Sequence, residues 1–106
     1  MDVCVLTKNL LFYSAVEGVA GAMGHKARQA EALEEVGKPD LLIADGSMGL
    51  DVPELAAIAE PMRIAYFALG HDAEMMSTAR ANGIPHVYRR GALAEQLPRI
   101  IAEYAV

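Results

Sequence analysis

Asp40-Leu41-Leu42-Ile43-Ala44-Asp45 is the stretch that decides the fold. Four apolar residues stand between two acids, with Gly37-Lys38-Pro39 as a helix stop just before them. A short apolar run bounded by turn residues predicts a strand covered on both faces, where no polar side chain can reach water. Residues 2–7 and 63–68 read the same way. Residues 85–88 predict a last strand, started by Pro85, which loses no ladder bond at a first position. Residues 25–29 lack bulky apolar side chains and predict a weak strand at a sheet edge.

Between these runs the period changes from two to about 3.6. Leu11, Ala15, Val19 and Ala22 are spaced 4, 4 and 3 and predict the inward face of a helix over 10–23, capped by Asn9 and ended by Gly24. Gly18 and Gly21 each weaken that helix by up to about 1 kcal/mol relative to alanine. A short helix is expected over 30–36. Asp51-Val52-Pro53-Glu54 has capping-box spacing, and its helix should stop before Pro61 with Leu55, Ile58 and Ala59 inward. Met75, Met76 and Ala79 give the packing face of a helix over 73–82. Leu93, Leu97, Ile100, Ile101 and Tyr104 mark the last helix, with Pro98 expected in its first turn after a separate turn at 92–96. Arg89-Arg90-Gly91 reads as a loop.

Strand and helix thus alternate five times, which predicts one parallel sheet with helices on both faces, a three-layer doubly wound α/β domain spanning 1–106. A length of 106 residues suits one domain and leaves little room for a second. One cysteine, Cys4, excludes a disulfide framework and predicts an inert core thiol. His25, His71 and His86 lie too far apart for a zinc site, and nothing in the pattern requires a cofactor. No run of 18 apolar residues and no basic leader is present, so neither a membrane span nor a secretion signal is expected, and the cytoplasm is the expected compartment.

The net charge of -5 argues against a nucleic-acid surface. It is unevenly spread. Residues 31–60 hold eight acids against Lys38, and residues 80–99 hold four arginines against Glu95.

In a doubly wound sheet, ligands bind beyond the carboxyl ends of the strands. The residues there are Thr7-Lys8-Asn9, Asp45-Gly46, Ala68-Leu69 and Arg89-Arg90. Pro39-Asp40-Leu41-Leu42-Ile43-Ala44-Asp45 and Ala79-Arg80-Ala81-Asn82-Gly83-Ile84 together resemble the receiver domain of two-component response regulators, which is CheY-like. The resemblance covers nearly the whole chain. It implies a flavodoxin-like five-stranded sheet of order 2-1-3-4-5, with Asp45 at the position that accepts a phosphoryl group in a phosphorelay. Residues 29–39 look several residues short beside a typical receiver, so the second helix should be stunted.

The departures point to a degenerate pseudo-receiver. The family's magnesium-binding acidic pair corresponds to Thr7 and Lys8, its hydroxyl after the fourth strand to Ala68, and its lysine after the fifth strand to Arg90. Phosphoryl transfer needs a divalent ion and a fixed cation to absorb charge on three oxygens. Two readings of Asp45 stay open. Lys8 can pair with it in place of the metal, with Arg90 on the other side, or Asp45 can cap the backbone of Ser47 or Met48.

Gly46-Ser47-Met48-Gly49 lacks the trailing Lys-Ser/Thr of a phosphate-binding loop, and Ser14, Ser47 and Ser77 sit in no nucleophile elbow. His71 reads as a local cap or surface residue, with a ligand or switch role beside Asp45 as the alternative. No acid–base or nucleophile–base pair can be named. The expected function is a non-catalytic signalling or protein-interaction module. The alternative is an atypical regulator phosphorylated, or binding an anion, at Asp45. The resemblance implies a partner face on the last two helices and fifth strand, holding Met76, Arg80, Ile84, Tyr88, Arg89 and Arg99. Its composition suits a protein partner or a two-fold homodimer.

Overall fold

The computed structural model describes residues 1–58, 63–68 and 73–104. Five parallel strands, β1 (Asp2–Leu6), β2 (Lys26–Ala30), β3 (Leu41–Asp45), β4 (Arg63–Ala68) and β5 (His86–Arg89), form one sheet of order β2-β1-β3-β4-β5. The helices are α1 (Leu10–Ala22), α2 (Val52–Ile58), α3 (Ala73–Ala81) and α4 (Arg90–Tyr104). Every residue of β3 is buried, as its apolar run requires at the centre of the sheet. Its side chains alternate: Leu41 and Ile43 join Val3, Val5, Ala65 and Phe67 under α1 and α4, while Leu42 and Ala44 join Cys4, Leu6, Ile64 and Tyr66 under α2 and α3. Two separate cores, one on each face, make the molecule three-layered. Cys4 is fully buried.

Helix α1 starts where Asn9 was expected to cap it: Asn9 Oδ1 accepts from the Phe12 N–H at 3.1 Å. Its inward face differs from the expected one. Phe12, Val16 and Ala20 are buried, whereas Leu11 is 84% exposed. The winning stripe carries an aromatic ring: Phe12 packs on Phe67 of β4 with centroids 4.2 Å apart. Gly18 and Gly21 face open space, so no close neighbour explains them.

The expected helix over 30–36 is not formed. Ala30 closes β2, and the link to β3 contains only a 3₁₀ turn, Leu33–Glu35. Arg28 holds this turn against the sheet edge. Its Nη1 donates to Glu35 O at 3.2 Å and its Nη2 to Val36 O, while Nε donates to Asp2 Oδ2 at 3.3 Å. One side chain thus serves two backbone carbonyls at the end of the link.

The last helix is continuous through Pro98, without the separate turn expected at 92–96. Pro98 and Ala94, the residue four before it, are both exposed. The carbonyl that loses its intrahelical partner can therefore bond water, while Leu93, Leu97, Ile100 and Ile101 stay buried on the opposite side. Strand β5 runs one residue later than expected, so Arg89 is in the sheet and Arg90 begins α4. Helix α2 begins at the Asp51 cap, where Asp51 Oδ1 accepts from the Glu54 N–H at 3.1 Å. On α3, Met76 and Ala79 are buried and Met75 is half-buried. Ala59 and the turn 69–72, including His71, lie outside the described residues. No helix among the described residues is long and apolar enough to cross a membrane.

Candidate functional site: the Asp45 rim

Parallel strands bring their carboxyl ends to one rim, and there Thr7 and Asp45 meet. Both are fully buried, the only polar residues among the described ones to be so. Thr7 follows β1 and stays in the ladder through its N–H, which donates to Ala30 O at 2.9 Å. Its Oγ1 donates to Asp45 Oδ2 at 2.7 Å and accepts from the Asn9 N–H at 3.0 Å. The Thr7 carbonyl accepts from Gln29 Nε2 at 2.9 Å.

The other carboxylate oxygen is also taken. Asp45 Oδ1 accepts from the Ser47 N–H at 2.8 Å and from Ser47 Oγ at 2.6 Å. The chain can fold back this tightly because residue 46 is glycine. A Cβ there would lie 2.3 Å from Phe67 O and 3.1 Å from the Ala68 Cα. Gly46–Met48 forms a 3₁₀ turn, and Gly49 leaves it at φ 69°, a left-handed conformation that favours glycine.

Of the two readings of Asp45, the cap is the one formed. Lys8 is exposed and pairs with no carboxylate among the described residues. Among the described residues the one ion pair is Arg28–Asp2. The physical reason is competition at short range. A lysine head on a four-carbon stem remains hydrated, whereas two hydroxyls on fixed backbone reach the carboxylate without losing much freedom. Among the described contacts Arg90 makes no hydrogen bond or ion pair with Asp45. Its guanidinium carbon lies 5.9 Å from the Phe12 ring centroid and 5.7 Å from that of Phe67, within cation–π range, on the α1–α4 side. Ala68 is buried at the end of β4 and offers no hydroxyl. The Ser47 hydroxyl and the aromatic seat of Arg90 were not foreseen. A serine two residues after a strand-ending aspartate is the available signal for the first; for the second there is none, because Phe12 and Phe67 are 55 positions apart.

The proposed partner face divides. Met76 and Ile84 belong to the core under α2 and α3. Arg80, Arg89 and Arg99 are exposed and Tyr88 is half-buried.

Against solved structures the likeness is extensive. A response regulator from Thermotoga maritima superposes with a TM-score of 0.74 at 17% identity, over 95% of this chain and 97% of that one. The chain has the receiver fold. NtrX from Brucella abortus, solved with ADP, gives a TM-score of 0.78 at 18% identity over 98% of this chain, which spans only 25% of NtrX. An atypical orphan response regulator, described as having a phosphorylation-independent regulatory mechanism, gives 0.70 at 17% identity over 96% of each chain. No family model and no curated protein matches the sequence.

The receiver fold implies a divalent cation at this rim, and the donors do not fit one. Among the described residues bonded together around Thr7, Asp45 is the single carboxylate, and both its oxygens are engaged by hydroxyl and amide hydrogens. Among the described residues no group of three or more Asp, Glu, His or Cys could hold a metal. Hard divalent ions need several oxygen ligands at about 2.0–2.6 Å, which a single spent carboxylate does not supply.

Proposed function

We propose that this chain is a non-catalytic pseudo-receiver, a cytoplasmic signalling module that works by binding protein, in which Asp45 is a structural residue. The observation that carries the reading is the fully buried Asp45 carboxylate with both oxygens bonded, to Thr7 on one side and Ser47 on the other. An in-line phosphoryl transfer needs an exposed oxygen facing the donor, a metal on the other oxygen, and a cation for the developing charge. Thr7 and Ala68 supply no metal ligand of the acidic kind, and Arg90 is seated over the Phe12 and Phe67 rings rather than bonded to the carboxylate. The partner is a protein, in the first place a second copy of the chain, engaged through the face that exposes Arg80, Tyr88, Arg89 and Arg99.

Incubation with acetyl phosphate or phosphoramidate and magnesium, followed by intact-mass measurement, tests the reading. The mass is expected to stay unchanged. A gain of one phosphoryl group mapping to Asp45 overturns it in favour of an atypical phosphoacceptor.

A further inference from the structure

A cleft of about 500 Å³ opens between α2 and α3. Leu50, Val52, Pro53 and Met75 give it an apolar lining, and Asp51 and Glu74 stand at its edges. That volume is within the range of sites that accept a few side chains. Among the described residues no lysine, arginine or histidine lines the cleft, and neither carboxylate has a cationic partner.

The helices around the cleft start from the same rim as Asp45, because α2 follows β3 and α3 follows β4 in a parallel sheet. Arg89 ends β5 on that rim, in register with Ala68. Residues two apart on a strand share a face, so Arg89 lies on the face of Val87, whose core partners belong to α2 and α3. It is exposed and pairs with no carboxylate among the described residues. One end of the molecule therefore carries an acid-edged apolar cleft and, at the end of the edge strand on the same face, an arginine without a described acidic partner.

That arrangement is self-complementary. A two-fold axis through the rim sets Arg89 of one copy against the acidic cleft of the other, and the reverse contact follows by symmetry. We infer that the occupant of the α2–α3 cleft is a second copy of this chain, with Arg89 entering between Asp51 and Glu74. The inference rests on reading the chain as a protein-interaction module, and it narrows that reading to one cleft and one arginine. It also accounts for the placement of charge. A chain of net charge -5 repels its own copies except where opposite charges face each other.

The test uses the full chain and its charge reversals, Glu74→Arg, Arg89→Glu and the double variant, followed by sedimentation equilibrium. The parent is expected at twice 11.3 kDa, with association weakening as salt rises from 0.05 to 1 M. Each single reversal should weaken dimerisation by about tenfold or more, because symmetry repeats the like-charge contact. The double variant exchanges the two charges and should return to within about threefold of the parent. Both positions are exposed, and an unchanged far-UV spectrum confirms that each variant is folded. If Arg89→Glu weakens the dimer but Glu74→Arg does not, or if the double variant stays as weak as the singles, the cleft is not the docking site, while the arginine face proposed above stands. A chain that stays monomeric at several hundred micromolar overturns the second-copy inference altogether. The interaction-module reading stands or falls separately, on the phosphodonor experiment.

Discussion

Replacing Thr7 by valine keeps the shape of a β-branched side chain and removes one oxygen. That oxygen donates to Asp45 Oδ2 at 2.7 Å and accepts from the Asn9 N–H at 3.0 Å. The first bond is short and charge-assisted, in a fully buried setting. Losing a hydrogen bond to a buried charged group costs about 1.5–3 kcal/mol. The Asn9 N–H is half-buried at the start of α1, and water can partly replace its acceptor, adding up to about 1 kcal/mol. The expected loss is about 2–4 kcal/mol, a large share of the 5–15 kcal/mol typical of a domain this size. Urea titration reads it as a fall of about 1–2 M in midpoint with an unchanged slope. A double-mutant cycle with Asp45→Asn isolates the pair and should give a coupling of about 1–3 kcal/mol. A loss below about 0.5 kcal/mol, or zero coupling, would mean that the carboxylate is solvated and free, and the structural role of Asp45 would go with it.

Three other expectations follow from the fold. Arg28→Met should cost about 1–3 kcal/mol, since two backbone carbonyls lose a charged donor while the half-exposed ion pair contributes little; amide exchange should speed up first at Glu35 and Val36. Phe12→Ala should cost about 3–5 kcal/mol and Leu11→Gln less than about 0.5, by thermal or urea unfolding, and the opposite order would rotate α1 back to the other stripe. Burial pushes the Cys4 thiol above its ordinary value of 9.0, against a smaller opposing pull from Arg28. The unfolded chain then releases the thiol proton first, so this contribution is complete below 9.0 and is lost as pH rises through the folded value. Cys4→Val should flatten that part of the alkaline decline in stability, leaving the part due to Tyr13 and Tyr104, whose hydroxyls burial also raises.

The strands were legible because burial on both faces leaves a plain signature: a residue string such as Leu41 to Ala44 has no other stable use in a chain of this size. The orientation of α1 was not, since its sequence is apolar almost all round. The two candidate stripes differ by one position, or about 100° of rotation, and the arbiter is Phe67, which arrives only with β4. Pro98 was misread because a rule about helix interiors takes no account of which side of the helix faces water. At the site, reading the positions after strand ends singled out Thr7, Asp45 and Ala68, which lie at the carboxyl ends of β1, β3 and β4. Which donors would serve the carboxylate was a contest among neighbours, and charge alone suggested Lys8. Geometry favoured the hydroxyls, whose distances are fixed by backbone that Gly46 allows to close.

The short link between β2 and β3 has a consequence for how the molecule comes apart. A three-residue 3₁₀ turn has no cooperative hydrogen-bond ladder of its own, and β2 has a single neighbouring strand. Arg28, the buried Val36 and the Asp2–Asp40 bonds hold the link to the sheet. Release of this edge, with β1, β3 and β4 left paired, is one local opening the fold allows. Such an opening would expose the segment around 31–39 to a protease, and the change in cleavage rate there on Arg28→Met would report the strength of that arginine's grip.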